Sequence, residues 1–133
     1  MYKTAILVIS LFVLLTFTGC DVLADCLING RAALYDKDFP TATSGNYYSE
    51  KVGAEVKDEP LDNDYYYMFD VTGEVPPGIL YSVDYREIHF YGIPQEPGTY
   101  NFTIHLDVDH KDSYRNDCFD KDKTSKTYSI IVN

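Results

Sequence analysis

The amino-acid sequence predicts an all-β protein that folds as an antiparallel two-sheet sandwich of about seven short strands. Apolar and polar residues alternate in several segments of the 133-residue chain, which is the periodicity of half-buried strands. Clusters of Gly, Pro and Asp separate these segments and are typical of turns. No stretch after Cys26 has the apolar spacing of a long helix. A small closed barrel is the alternative architecture.

The clearest predicted strand runs from Tyr100 to Val108. Its inward face consists of apolar residues at every second position: Tyr100, Phe102, Ile104, Leu106 and Val108. Three further segments share this period: Val52-Ala54-Val56, Tyr65-Tyr67-Phe69-Val71 and Tyr128-Ile130-Val132. Weaker strands are Ala32 to Tyr35, Ile79 to Val83 and Glu87 to Tyr91. The predicted turns and loops are Pro60 to Asp64, Gly73 to Gly78, Gly92 to Gly98 and His110 to Lys126.

Composition limits the function classes. The chain has 21 Asp+Glu against 11 Lys+Arg, a formal net charge of −10. A nucleic-acid binder needs a basic surface for phosphate contacts, so we predict no nucleic-acid partner. The sequence contains no phosphate-binding loop, metal-finger spacing or nucleophile elbow, so we predict neither a cofactor nor catalysis. One domain of about 110 residues also leaves little room for the deep carboxylate-lined cleft of a glycosidase.

The first residues predict export. Ala5 to Phe17 form a nearly unbroken apolar run after Lys3, which is short for a membrane span and typical of a signal peptide. The run ends in Phe17-Thr18-Gly19-Cys20, which resembles the lipobox of bacterial lipoproteins, in which the cysteine thiol receives a lipid. The resemblance implies a signal peptide at 1–19, a lipid-anchored segment at 20–26 and a folded domain at 27–133. Ordinary cleavage after Ala24 is the alternative, and a permanent anchor helix is the third.

The remaining cysteines predict one disulfide. Cys26 and Cys118 are left as a pair under either cleavage, and exported proteins fold in an oxidising compartment. The bridge would close a loop of 118 − 26 = 92 residues and contribute about 4 kcal/mol. Two free thiols are the alternative.

A family resemblance covers the C-terminal half of the chain, about residues 65–133. It rests on Val75 to Ile79 (VPPGI), Phe90 to Pro94 (FYGIP) and Pro97 to Ile104 (PGTYNFTI). These elements resemble the turn, strand and turn pattern of the bacterial cadherin-like Ig domains. The sequence departs from that pattern at Ile93, where Thr is usual, and in a long acidic insertion before the last strand. The resemblance implies an Ig-like sandwich, a fold used as spacer, adhesin module or recognition scaffold.

Two groups of residues are candidate sites. Asp107, Asp109 and Asp112 lie where the clearest strand ends, and alternating carboxylates are ligands that Ca²⁺ accepts; a solvated acidic loop is the favoured interpretation, so we predict no metal. Tyr66 together with Tyr47 or Tyr48 is the candidate binding surface, because exposed tyrosine combines apolar area with a polar tip. Strand propensity alone is the alternative explanation of these tyrosines.

Together these features predict a lipid-anchored protein of the bacterial cell envelope, facing the periplasm or the exterior. It would present one non-catalytic Ig-like module that binds or supports a protein or polysaccharide. The alternative is a periplasmic inhibitor or immunity-type protein that blocks a secreted enzyme or toxin through an acidic, tyrosine-bearing surface. Net negative charge would speed its encounter with a basic target.

Overall fold

The computed structural model describes residues 31–111 and 122–133 and contains the seven predicted strands. In chain order they are β1 (Arg31–Leu34), β2 (Tyr48–Lys57), β3 (Tyr65–Gly73), β4 (Ile79–Asp84), β5 (Glu87–Gly92), β6 (Gly98–His110) and β7 (Lys123–Val132). The described residues contain no helix except one 3₁₀ turn at Asp62–Asp64, so no helix among them is long and apolar enough to cross a membrane.

The strands form two antiparallel sheets. One has the order β1-β2-β5-β4 and the other the order β3-β6-β7. A single parallel bridge between Ala42 and Val132 attaches the segment before β2 to the last strand. The chain is therefore an Ig-like β-sandwich, and the all-β prediction is confirmed.

Alternation along the strands builds the core between the sheets. Phe102, Ile104, Leu106 and Val108 of β6 are at most 2% exposed, as their spacing predicts. Phe39, which precedes β2, packs edge to face against Phe90, Phe102 and Tyr128 at centroid distances of 5.6–5.7 Å. These rings connect the two sheets, and burying side chains of this size supplies most of the favourable free energy of folding.

Three inward tyrosines bury their rings and still satisfy their hydroxyl groups. Tyr48, Tyr67 and Tyr128 donate hydrogen bonds of 2.9–3.1 Å to the backbone carbonyls of Pro40, Asp62 and Tyr35. Burial raises the pKa of Tyr67 and of Tyr128 to about 12 and raises the pKa of Tyr48 still further. These hydroxyl groups therefore stay protonated in the folded protein across the physiological pH range.

The predicted loop from His110 to Lys126 is too long at its C-terminal end. Strand β7 already begins at Lys123, and it pairs Thr124 with Leu106 and Lys126 with Ile104. Thr124 and Lys126 thus occupy inward positions with polar side chains, so the apolar alternation that marks a strand starts only at Tyr128.

Two glycines fix the turns before β4 and after β5. Gly78 has φ +91°, and a Cβ atom there would lie 2.1 Å from the backbone oxygen of Ile93. Gly92 has φ +141°, and its Cβ atom would lie 2.2 Å from the backbone oxygen of Gly78. Because only glycine accepts both the conformation and the approach, these residues set the start of β4 against the end of β5.

Candidate binding surface

One side of the sandwich is open. Strand β4 is the outermost strand of its sheet and β3 the outermost of the other. They lie on the same side, because Tyr67 of β3 contacts Tyr85, in the turn after β4, with ring centroids 5.6 Å apart. On the other side β1 lies against β7, where the Tyr128 hydroxyl bonds to the carbonyl of Tyr35. We call β3, β4 and the connection between them, residues 65–84, the open side.

Strand β4 is exposed on both of its faces. Tyr81 and Val83 pair with Phe90 and Ile88 of β5, which are fully buried, so they occupy the inward register. They nevertheless remain 46% and 45% exposed, and Leu80 on the outward face is 63% exposed. The second sheet therefore does not cover β4 beyond the buried Ile79, although the Tyr81 ring still reaches Phe90 at 5.9 Å.

The hydrogen-bonding edge of β4 is also open. Ile93 N–H donates to the carbonyl of Gly78 at 3.1 Å, and the register pairs Ile79 with Gly92. Hydrogen-bonded pairs alternate with non-hydrogen-bonded pairs in an antiparallel ladder. The backbone groups of Leu80, Ser82 and Asp84 therefore point to β5, whereas those of Tyr81 and Val83 point away from the sheet.

Aromatic rings and cations lie together at one end of the open side. The Lys111 ammonium is 5.8 Å from the ring centroids of both Tyr66 and Tyr85. The carbonyl of Asn63 accepts hydrogen bonds from Lys111 Nζ at 2.7 Å and from the Tyr85 hydroxyl at 2.9 Å. Tyr85 has φ +52°, which costs a bulky residue of order 1 kcal/mol. The contacts of its ring and hydroxyl hold it in this conformation.

Arg86 extends this cluster toward the core. Its guanidinium lies 5.7 Å from the Tyr67 ring centroid and 5.8 Å from that of Tyr85, and it pairs with the carboxylate of Asp62. Burial lowers the pKa of Arg86, but the Asp62 carboxylate outweighs burial and the net shift is upward. The charge is thus retained between two rings, where cation–π attraction adds to packing.

Charge differs between the two sides of the sandwich. The open side carries Asp70, Glu74 and Asp84 and has no Lys, Arg or His. A groove of about 550 Å³ at the opposite side is lined by basic residues: Arg31, Lys57, Lys123 and Lys126. Residues 65–84 are therefore acidic, whereas the cations Arg86 and Lys111 adjoin them at the end that carries Tyr66 and Tyr85.

The structure separates the three tyrosines that the sequence offers as a binding surface. Tyr47 is 67% exposed and Tyr66 is 57% exposed. Tyr48 is only 7% exposed and does not belong to a surface, because it occupies the first inward position of β2. Tyr47 precedes a strand of one sheet while Tyr66 lies on the other. Tyr66 instead shares a cation with Tyr85, because Lys111 Nζ lies 5.8 Å from both ring centroids.

The acidic calcium candidates do not form a metal site within the described ranges. Asp107 bonds to Lys123 at 2.7 Å, and Asp109 lies two residues further along β6. Asp112 lies outside the described residues. No group of three His, Cys, Asp or Glu side chains in residues 31–111 and 122–133 is arranged to hold a metal ion. Burial, together with Asp107 and Asp109, raises the pKa of Asp122, so the carboxylates there repel one another.

A shallow groove of about 480 Å³ crosses the outward face of the three-stranded sheet. It is lined by nine residues of β3, β6 and β7, including Met68, Asp70, His105 and Lys123. Three of its polar side chains are already paired, since His105 bonds to Thr72 at 2.8 Å and Lys123 bonds to Asp107. The lipid candidate Cys20 and the disulfide candidates Cys26 and Cys118 lie outside the described residues.

Comparisons with known proteins agree on the fold. No family model matches the chain, and no curated protein matches it either. Among solved structures, the chain is similar to the ASH/PapD-like domain 7 of human CEP192, with 11% identity, TM-score 0.50, and coverage of 79% of this chain and 87% of that one.

A second similar structure is an endo-fucoidan hydrolase of glycoside hydrolase family 107, with 12% identity and TM-score 0.51. The match covers 78% of this chain but only 14% of the hydrolase. Titin domain M7 matches with 13% identity and TM-score 0.44, over 80% of this chain and 97% of that domain. At such low identity the first two matches show similarity of fold alone, and the CEP192 match is to a PapD-like domain.

Proposed function

We propose that this chain is an exported bacterial envelope protein, lipid-anchored through Cys20, whose Ig-like sandwich is a non-catalytic binding module. The apolar run before Cys20 supports export, and the lipobox-like residues support lipidation. Several acyl chains hold a protein firmly on a membrane, whereas one does so only weakly. Cys20 and Arg31 are eleven residues apart, which even a fully extended chain spans in at most about 40 Å. The module would therefore stay near the membrane surface.

One observation carries the proposal that the module binds a partner. Among the described residues, seven of the eleven large hydrophobic side chains that remain exposed lie between Leu61 and Tyr85. Apolar side chains concentrated on one side of a small domain mark interaction surfaces. Tyr66 and Tyr85 add the type of ring that is enriched at interface centres. The open side and its tyrosine cluster are thus the proposed binding surface.

Metabolic labelling with a fatty-acid analogue tests the anchor. We expect the wild-type chain and a Cys26→Ser variant to be labelled in bacterial cells, and a Cys20→Ser variant to be unlabelled and released from membranes. The Cys26→Ser variant is the matched control for loss of a thiol in the same segment. An unlabelled wild-type chain would mean that the chain is not a lipoprotein.

Site-specific photo-crosslinking in intact cells tests the surface. A crosslinking side chain replaces Tyr66 or, as the matched control, Ser129, which is exposed on β7 of the same sheet. We expect one discrete adduct from position 66 and none from position 129, with the partner identified by mass spectrometry. Equal adducts from both positions, or none, would contradict the proposed surface.

A second function has support from charge. The open side has three carboxylates and no basic residue, so a basic secreted enzyme or toxin would be attracted to it. An inhibitor or immunity-type protein would bind such a target and abolish its activity in a stoichiometric assay. A structural or adhesive module would be crosslinked to an envelope component without inhibiting an enzyme, so the identity of the crosslinked partner distinguishes the two.

A further inference from the structure

We propose that the free edge of β4 binds an extended segment of a partner protein by strand addition, and that this segment alternates apolar with basic residues. The proposal rests on the proposed function as a binding module and specifies the mode of binding and the class of partner. It depends on three properties of the open side, namely its backbone groups, its uncovered inward face and its charge.

The backbone of β4 can accept a further strand. Tyr81 and Val83 direct their N–H and C=O groups away from β5, as the register requires. Natural edge strands are usually protected by Lys, Pro or a bulge. Strand β4 has no Lys or Pro, and its pairing with β5 is continuous from Ile79 to Asp84. Its six residues provide about 20 Å of edge, so a segment of six to eight residues fits.

The inward face explains why every second residue of that segment should be apolar. Tyr81 and Val83 face the space between the sheets and are nearly half exposed. Phe69 and Val71 of β3 are half-buried and pack against the core. Side chains alternate across a strand, so an added strand would insert every second residue toward these four and bury them.

The charge explains why the other residues should be basic. Asp84 lies on the outward face of β4 opposite Glu87 of β5, and Glu74 lies in the connection between β3 and β4. Lys51 of β2 pairs with Glu87 at 2.8 Å, so one lysine faces the two carboxylates of Asp84 and Glu87 on this outward face. Outward side chains of an added strand would therefore be attracted if they were Lys or Arg, and repelled if they were acidic.

Charge also disfavours a second copy of this chain as the occupant. Each copy carries a net charge of −10. The basic groove at the other side does not compensate this charge, because Lys123 and Lys126 already pair with Asp107 and Asp36 of the same molecule. The chain also enters β1 at Arg31, at the opposite edge of the sheet from β4, which disfavours its own N-terminal segment.

A peptide titration of the protein purified after expression of the full chain tests the proposal. The probes are three fluorescent octapeptides: four Lys-Val repeats, four Glu-Val repeats, and a block peptide of four Lys followed by four Val. We expect the Lys-Val repeat to bind at least tenfold more tightly than the other two in fluorescence anisotropy. Backbone amide NMR shifts should concentrate in residues 79–84.

Two variants separate strand addition from other modes of binding. Val83→Pro removes an N–H that points to the open side and that no ladder bond within the sheet uses, whereas Val83→Thr keeps this N–H and a β-branched side chain. We expect Val83→Pro to weaken binding of the Lys-Val repeat at least tenfold and Val83→Thr to change it less than threefold. Circular dichroism and thermal unfolding verify that both variants fold.

The remaining outcomes would overturn the proposal. Equal binding of the block peptide would show attraction by charge alone, and equal binding of the Glu-Val repeat would exclude a basic partner. No binding of any peptide at millimolar concentration would exclude strand addition at β4. Dimers at neutral pH that Val83→Pro dissociates would make a second copy the occupant. These results concern the purified protein, so a failure here is distinct from a failure of the labelling or crosslinking tests.

Discussion

The rings of Tyr67 on β3 and Tyr85 after β4 meet edge to face with their centroids 5.6 Å apart. This contact joins the two sheets where the open side ends. The guanidinium of Arg86 lies within 6 Å of both ring centroids. Further along β4 no comparable ring from β3 covers Tyr81. Tyr81 is therefore exposed because the contact between the sheets ends at Tyr67 and Tyr85. The binding surface that we propose is thus a consequence of how the sandwich closes.

Alkaline pH should unfold the protein through its buried tyrosines. The pKa of Tyr67 and of Tyr128 is about 12 in the folded protein, against 10 for an ordinary tyrosine. The unfolded chain therefore loses these protons first, so the contribution of these tyrosines to the free energy of unfolding should be constant below about pH 10 and fall as pH rises from 10 to 12. Urea denaturation at a series of pH values measures this fall.

Tyr128→Phe should make that fall shallower, because the variant has one fewer buried phenol to ionise. Tyr47→Phe, which removes an exposed phenol, is the matched control and should leave the wild-type slope. A wild-type slope in Tyr128→Phe would mean that another group governs alkaline unfolding.

Alanine at the turn glycine Gly78 should lower the free energy of unfolding far more than alanine at Gly45. Gly45 has φ +81° but no atom lies within 4 Å of its added Cβ, so Gly45→Ala should cost only backbone strain, about 1 kcal/mol. Gly78→Ala adds the collision with the Ile93 carbonyl, and we expect about 2 kcal/mol more. Thermal or urea unfolding of the two variants checks the difference. Equal costs would mean that the turn relaxes without loss.

Burial along β6 and β7 should govern the cost of removing a methylene. Ile104 is fully buried, whereas Ile131 is 47% exposed on the outward face of β7. We expect Ile104→Val to lower the free energy of unfolding by about 1 kcal/mol and Ile131→Val to change it by less than about 0.5 kcal/mol. A larger loss for Ile131→Val would indicate that a partner or second copy covers this face.

Local patterns predict most of the strands because each one depends on its own alternation. Ile104 and Leu106 are buried as their spacing requires, and the weaker segments also form strands. The sequence pattern does not mark the start of β7, since Thr124 and Lys126 put polar side chains at inward positions. The sequence does not show which of Tyr47 and Tyr48 points inward, because two adjacent tyrosines fit either face of a strand until the start of β2 is known.

The binding surface could not be predicted from the sequence, because it depends on which strands lie at the edges. The segment from Ile79 to Val83 is apolar on both faces, a pattern that fits a fully covered strand as well as an exposed one. Only the sheet order places β4 outermost. Tyr85 gives no turn signal either, since the left-handed turn positions usually hold Gly, Asn or Asp.

The free edge of β4 should make the unoccupied protein prone to aggregate near its isoelectric point. Net charge is −10 at pH 7 and vanishes near pH 4.5, so repulsion that keeps the edges of separate molecules apart is lost there. Light scattering should therefore rise steeply as the pH is lowered from 7 to 4.5.

Val83→Lys places a charge on the edge and should suppress that rise, because edge lysines block strand pairing between molecules. Ser129→Lys adds the same charge on the exposed face of β7, far from β4, and should leave most of the aggregation in place. If both variants suppress it equally, net charge alone controls aggregation and the edge of β4 has no special part in it.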